Sequence, residues 1–453
     1  MERSVIISRE NVRPSLPTPQ SLQTYKLSML DQIVPSMLVP LVLYFPNTNK
    51  EINDHDSFTS QTTQQLKRSL SLILTRFYPL AGRINEDRKS INCNDQGVPF
   101  VVVKFPGQKL SHILKNPDQD LPRHLLPCEI TWDAEQCPDS TVALIQVIYF
   151  DCGGVAIGVI FWHKLVDALT MANFLNSWAN TTRGSRELAI CPNYIAQFMF
   201  PYKEETPKEF GSMAAILKTG KTVMRRYMFD EMSISKLKAK SSSGGAVVRP
   251  TRVEAVSALI WKCFISASLA NNVSATVLTH AVNLRRRADP PFPSDCFGNF
   301  PGLAAATSSA NENEKAELGQ LVRKMRDAIS KIDGDYVNRM RGDEGRLLGY
   351  RGIPEGIDFL SISSWCGFGI YGADFGWGKP VWLTRCDKGS DLESLFLNVV
   401  WLMDTRGGGI EAWVILEENY MSVFDNVEEL RALASIDPSP LDIPETVRLN
   451  GIS

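Results

Sequence analysis

The segment Phe161-Trp162-His163-Lys164-Leu165-Val166-Asp167 puts an imidazole where an apolar run ends, with a carboxylate four residues further on. An unperturbed imidazole titrates near about pH 6.5, so at neutral pH it can take a proton from a hydroxyl or amine and return it later. The carboxylate has two readings: it could orient the ring, or it could cap the helix that follows. Spacing alone also leaves open a packed or capping histidine. Other chemistries find less support. No Gly-x-Ser-x-Gly elbow is present to form an acyl-enzyme. The five histidines (55, 112, 124, 163 and 280) show no metal-ligand spacing. Gly367, Gly369 and Gly372 fit a dinucleotide fingerprint, but Gly376, Gly378 and Pro380 follow where that fingerprint needs a helix. Gly220-Lys221-Thr222 ends like a phosphate loop whose first glycine is replaced by Ala215. Asp374-Phe375-Gly376 matches a kinase triplet without its His-Arg-Asp partner.

The elements that must carry the histidine can be read from periodicity. Val142 to Phe150 predicts a strand, Gly153-Gly154 breaks it, and Val155 to Trp162 resumes as a nearly all-apolar strand buried on both faces. Asp167 to Ala179 predicts a helix with Leu169, Met171, Phe174, Leu175 and Trp178 on its apolar side. Upstream, Ser4 to Ser8, Leu41 to Phe45 and Gly97 to Lys104 read as strands, and Thr62 to Phe77 as a helix ending before Pro79. Downstream, helices are predicted over Arg252 to Ser268, Glu314 to Ile332 and Glu417 to Leu433. Strands are predicted over Val277 to Leu284, Phe359 to Ser364, Pro380 to Leu383 and Glu411 to Leu416.

At 453 residues the chain is too long for one ordinary core, and two domains are expected. We place the first over residues 1–190, with about 374–400 returning to it, and a crossover linker over 191–220. The second covers 221–453, with an irregular tail from about 434. With 48 basic and 50 acidic side chains the net charge is −2, which points to a small-molecule substrate and away from nucleic acid or an anionic membrane. Nine scattered cysteines with no Cys-x-x-Cys pair argue against a disulfide framework and for a reducing, cytoplasmic setting. The polar first nineteen residues carry no apolar signal region, and no run of about 18 apolar residues predicts a membrane span.

His163-x-x-x-Asp167 together with Asp374-Phe375-Gly376-Trp377-Gly378, in this order, resembles the BAHD acyltransferase family. Leu27-Ser28-Met29-Leu30-Asp31, Phe77-Tyr78-Pro79-Leu80-Ala81-Gly82-Arg83, Val282-Asn283-Leu284-Arg285 and Phe297-Gly298-Asn299 extend the likeness nearly end to end, up to about Ala434. Asp151-Cys152-Gly153-Gly154, Asn173 to Ala179 and Ser363-Ser364-Trp365-Cys366 are similar to its alkaloid-acylating branch. The resemblance implies an α/β fold of two similar chloramphenicol-acetyltransferase-like domains, mixed sheets flanked by helices, with a solvent channel between them. It implies that His163 is a general base for direct attack of an acceptor hydroxyl or amine on an acyl-CoA thioester, with no permanent cofactor and no metal. Asp167 would be structural, paired with Arg285. Ser363 would be a possible oxyanion donor. Asp31 and Trp365 would border the acceptor, and Arg252, Ser257 and Asn299 would lie near coenzyme A. Asp374, Phe375, Gly376, Trp377 and Gly378 would be architectural. The three arginines at 285–287 read as one structural and two solvated, with phosphate contact as the alternative. Acetyl-CoA and a plant alkaloid are the expected substrates, a monoterpenoid indole alkaloid among them, for a monomer. Malonyl or other acyl transfer to an alkaloid or terpenoid alcohol is the alternative within the family. Outside that activity stand a peptide-synthetase condensation domain, which would carry a second histidine where Trp162 stands, and a non-catalytic ligand-binding relative.

Overall fold

Apolar strands that cannot face water on either side demand a layer on both faces, and the histidine-bearing strand meets this condition. In the computed structural model, Val155–Trp162 is buried along its whole length. The structure describes residues 4–47, 54–117, 121–128, 139–185, 189–204, 218–242, 249–309, 317–342, 356–386 and 394–443. The start of the predicted helix at Glu314, much of the crossover around 205–217 and the tail from 444 lie outside them. The chain divides into two units. Unit 1 comprises Met1–Gly211, Pro291–Phe300 and Phe368–Lys388, and unit 2 comprises Ser212–Pro290, Pro301–Gly367 and Gly389–Ser453.

Unit 1 is built on a six-stranded mixed sheet. Its spatial order is Val5–Val12, Val98–Phe105, Ala143–Phe150, Val155–Trp162, Leu38–Phe45 and Trp382–Thr384. All neighbours run antiparallel except Val98–Phe105 and Ala143–Phe150, which run parallel. The Gly153 turn (φ +75°) closes the tight hairpin between the two strands before the histidine. Helices His55–Arg76 and Ala168–Thr182 pack on one another. The first is anchored by Asp54, which accepts from the Ser57 N–H at 2.9 Å as an N-cap. The sixth strand comes from far along the chain, with Trp382 opposite Tyr44 and Thr384 opposite Val42. The Tyr44 and Thr384 hydroxyls lie 3.0 Å apart there, inside the core.

Unit 2 is built on a seven-stranded mixed sheet in the order Pro301–Ser308, Ala275–Asn283, Ile357–Ser364, Val399–Asp404, Ile410–Glu417, Thr222–Phe229 and Ser435–Ile436. The apolar helix Arg252–Ala270 packs on three of these strands, and Leu318–Ser330 lies on the first two. By length and composition the former could cross a membrane, but it is mostly buried inside the unit as a core helix. A Thr251/Glu254 capping box starts it: each side chain accepts from the other residue's backbone N–H.

Several features differ from the sequence expectations. Residues 291–300, placed in the second half, belong to unit 1, as does the expected linker as far as Gly211; the returning segment expected over about 374–400 is Phe368–Lys388, with the chain after it in unit 2. The predicted helix Glu417 to Leu433 is two short helices, Glu418–Phe424 and Glu428–Leu433, because the chain turns at Asp425-Asn426-Val427. The described part of the tail, 434–443, carries structure where an irregular segment was expected. Ser435–Ile436 pairs with Met228 and Tyr227, and Arg226 donates to the Pro438 carbonyl. Backbone pairing of this kind leaves no trace in side-chain pattern, which is why a two-residue edge strand was illegible.

Candidate active site

The short path from Trp162 to Ala168 holds the histidine from several sides. The His163 N–H donates to the Met37 carbonyl at 2.8 Å, and its own carbonyl accepts from Asn299 Nδ2 at 2.8 Å. Nδ1 lies 3.2 Å from the Val166 carbonyl. A carbonyl only accepts, so Nδ1 carries the proton and Nε2 is left with a lone pair. The ring is partly exposed. Burial of the imidazole pushes its pKa below the usual 6.5, and the Arg385 cation pushes the same way. The backbone hydrogen bonds and Asp167 oppose this without reversing it. The result is a neutral imidazole at pH 7 with one basic nitrogen, the state a general base needs.

Asp167 is the N-cap of Ala168–Thr182. Its Oδ1 accepts from the Thr170 N–H at 2.8 Å and its Oδ2 from the Phe300 N–H at 3.2 Å. Those bonds fix the helix start and hold residue 300 beside it. The adjacent Thr170 hydroxyl donates to the Gly298 carbonyl at 2.9 Å. Lys164 turns its ammonium onto the carbonyls closing the short helix Met29–Ile33, at 3.0 Å from Gln32 and 2.9 Å from Val34. Burial lowers the Lys164 pKa, and Asp31 partly restores it.

Two residues expected near the substrates are buried. Asp31 is fully buried. Its Oδ2 accepts from the Ser28 N–H (2.8 Å) and hydroxyl (2.7 Å), and its Oδ1 from the Asn299 N–H (3.0 Å) and Nδ2 (2.8 Å). With no exposed surface and both oxygens occupied by protein donors, it caps the helix and braces Asn299. Asn299, expected near coenzyme A, is likewise fully buried, and its amide spans Asp31 and the His163 carbonyl.

The Asp374–Gly378 motif forms a hydrogen-bonded turn. Asp374 Oδ1 accepts from the N–H groups of Gly376 (2.8 Å) and Gly378 (3.0 Å), while Oδ2 pairs with Arg183 at 3.2 Å. Both glycines have φ near +110° (110° and 106°), where a side chain is strained. Phe375 packs edge-on against Trp178 at 4.9 Å and Phe45 at 5.8 Å, and stacks with Trp377.

The remaining candidates lie in unit 2. Arg252 pairs with Asp404 at 2.9 Å and donates to the Gly408 carbonyl at 2.6 Å. Ser257 is buried, and its hydroxyl has no hydrogen-bond partner among the described residues. Arg285 is buried, with its N–H on Asn283 Oδ1 at 3.0 Å, while Arg286 is exposed and Arg287 half-buried. Ser363 is partly exposed in the strand Ile357–Ser364, opposite Trp401, and the Trp365 N–H donates to the Leu402 carbonyl at 2.7 Å.

The sequence reading missed three groups around His163. Lys164 stood inside the motif without a role. Arg385 carried no signal. Asn299 stood in a recognised block but was given to the coenzyme. Only the third had a sequence signal, the Phe297-Gly298-Asn299 block, and that block does not say which atom the amide meets.

The chain is similar to known proteins over nearly its whole length. A family model described as Transferase family matches residues 4–431. The chain is 38% identical to limonoid 7-O-acetyltransferase of Citrus sinensis, over 96% of this chain and 99% of that one. It is also 38% identical to stemmadenine O-acetyltransferase of Catharanthus roseus, over 93% and 96%. Among solved structures it is similar to vinorine synthase, with a TM-score of 0.79 and 34% identity, covering 96% of this chain and 99% of that chain.

Proposed function

The chain belongs to the transferase family of BAHD acyltransferases, enzymes of acyl-CoA-dependent acyl transfer, and from that membership we propose that it moves an acetyl group from acetyl-CoA onto a hydroxyl of a polycyclic alkaloid. The observation that carries the mechanism is the Nδ1–H···O=C bond to Val166, which leaves Nε2 of a neutral His163 as the base. His163 Nε2 takes the proton as the acceptor oxygen attacks the thioester carbon. The tetrahedral oxyanion collapses, the C–S bond breaks, and the leaving thiolate takes the proton back from the imidazolium. Asp167 serves as a structural cap in this scheme, since its oxygens accept from two backbone N–H groups.

Two relatives named as O-acetyltransferases support acetyl as the acyl group and a hydroxyl as the acceptor. The alkaloid reading is supported by stemmadenine O-acetyltransferase and by the likeness to vinorine synthase. A terpenoid alcohol is the second reading, favoured by equal identity to the limonoid enzyme. A cytoplasmic setting remains our proposal, supported by nine scattered cysteines without a paired motif, and a monomer is proposed with it.

The test is incubation with acetyl-CoA or malonyl-CoA and separate panels of alkaloid and limonoid alcohols, read by mass. We expect an acetyl increment on an alkaloid and its loss in His163→Ala. Acetylation of limonoids alone would move the acceptor class to the second reading. Undiminished transfer by His163→Ala would remove the base.

A further inference from the structure

We infer that Asp31, Asn299 and Lys164 act together as positioning residues that hold His163 in its reacting orientation, through a buried relay running from the Ser28–Asp31 capping box to the His163 peptide. The Asn299 amide faces two acceptors, Asp31 Oδ1 and the His163 carbonyl, each 2.8 Å from Nδ2. Flipping that amide would set its oxygen against both of them, so its orientation is chemically determined. Asp31 in turn is fixed by four donor contacts within a fully buried pocket. Lys164, next in sequence to the base, ties the same peptide to the end of the Asp31 helix. The direction of the imidazole follows from its backbone, and with the N–H on Met37 as well, little freedom is left to it.

The Asp31 carboxylate, out of solvent, is offset by four protein donors, and one of them, the Asn299 amide, also holds the His163 carbonyl. That contact bears on rate because small displacements of a reacting group are costly.

The inference rests on His163 being the base, and the experiment separates the two. Wild type, Asn299→Ala, Asp31→Asn and the double variant are compared by steady-state kinetics and thermal melting, with His163→Ala alongside. We expect kcat to fall about tenfold to a hundredfold in each single variant. KM for acetyl-CoA should stay within about twofold, as for a loss confined to the chemical step. The double variant should be no slower than the slower single one, since both act through one hydrogen bond. A normal kcat in folded Asn299→Ala, or losses that multiply in the double variant, overturns the relay. So does a raised KM for acetyl-CoA at constant kcat, which would return Asn299 to the coenzyme. Should the buried variants melt below assay temperature, Lys164→Met on the partly exposed side replaces them: a lowered kcat at constant KM supports the relay and an unchanged kcat overturns it. Activity that survives His163→Ala removes the base itself, whereas an inactive His163→Ala beside a normal Asn299→Ala removes only the relay.

Discussion

Asp167 holds two backbone N–H groups at once, Thr170 and Phe300. Asp167→Ala should therefore lose stability along with rate, by about 1–2 kcal/mol for the cap alone. Thermal melting checks this, and a selective loss of rate at unchanged melting temperature would instead speak for a carboxylate–imidazole dyad. The His163 pKa lies below 6.5, mainly through burial and next through Arg385. The base works unprotonated, so kcat/KM should be flat through pH 7 and fall at lower pH with a midpoint under 6.5. Arg385→Gln removes a cation and should shift that midpoint upward. For stability, the unfolded chain binds more protons at this site than the folded one between the folded pKa and 6.5. Stability therefore rises with pH up to about 6.5 and is flat above it as far as this group is concerned. Denaturant titrations across pH 5 to 8 would show the slope.

At the scale of elements, the strap Ser435–Ile443 depends on a charge it does not itself carry. Arg226 and Glu411 form a 2.7 Å ion pair between adjacent strands, at 2% and 1% side-chain exposure. The same arginine holds the Pro438 carbonyl, and Arg406 reaches the Pro440 and Leu441 carbonyls. Arg226→Met takes a partner from the buried Glu411 and should cost up to about 3–5 kcal/mol, with Arg226→Met/Glu411→Leu recovering much of it. Urea unfolding of the three proteins decides the point, and equal stability of single and double variants would show that the pair is not the determinant. The Asp374 loop follows the same logic with exposed groups. Its carboxylate gathers two N–H groups of glycines whose φ values only glycine adopts easily, so a motif that looks catalytic by composition is a turn.

At the scale of the molecule, unit 1 is completed by two segments that lie between pieces of unit 2 in the chain. Residues 291–300 bring Asn299 to His163, and 368–388 bring Phe375 and the strand Trp382–Thr384. A fragment of residues 1–211 lacks that strand, the ring under Trp178 and the donor to the His163 carbonyl. We expect it to show no cooperative thermal transition, with Leu38–Phe45 left as an open apolar edge. A sharp melt from that fragment, followed by circular dichroism, would show that the returning segments are dispensable.

Much of this was legible in the sequence because it depends on local order. The all-apolar run Val155–Trp162, the amphipathic pattern after Asp167 and the caps at Asp54 and Asp167 are set by neighbours within a turn or two. His163 and the Asp374–Gly378 motif could be named for the same reason, since each motif is contiguous and the resemblance supplied its role. What the chain order could not decide was which distant atoms meet. Asp31, His163 and Asn299 are 132 and 136 residues apart in sequence, yet one amide joins them, because hydrogen bonds depend on distances of about 3 Å that only packing sets. Sequence therefore named His163 as the candidate base and determined the elements that present it. Tertiary structure brought Asp31 and Asn299 together in the core and set the Asn299 amide on the His163 carbonyl.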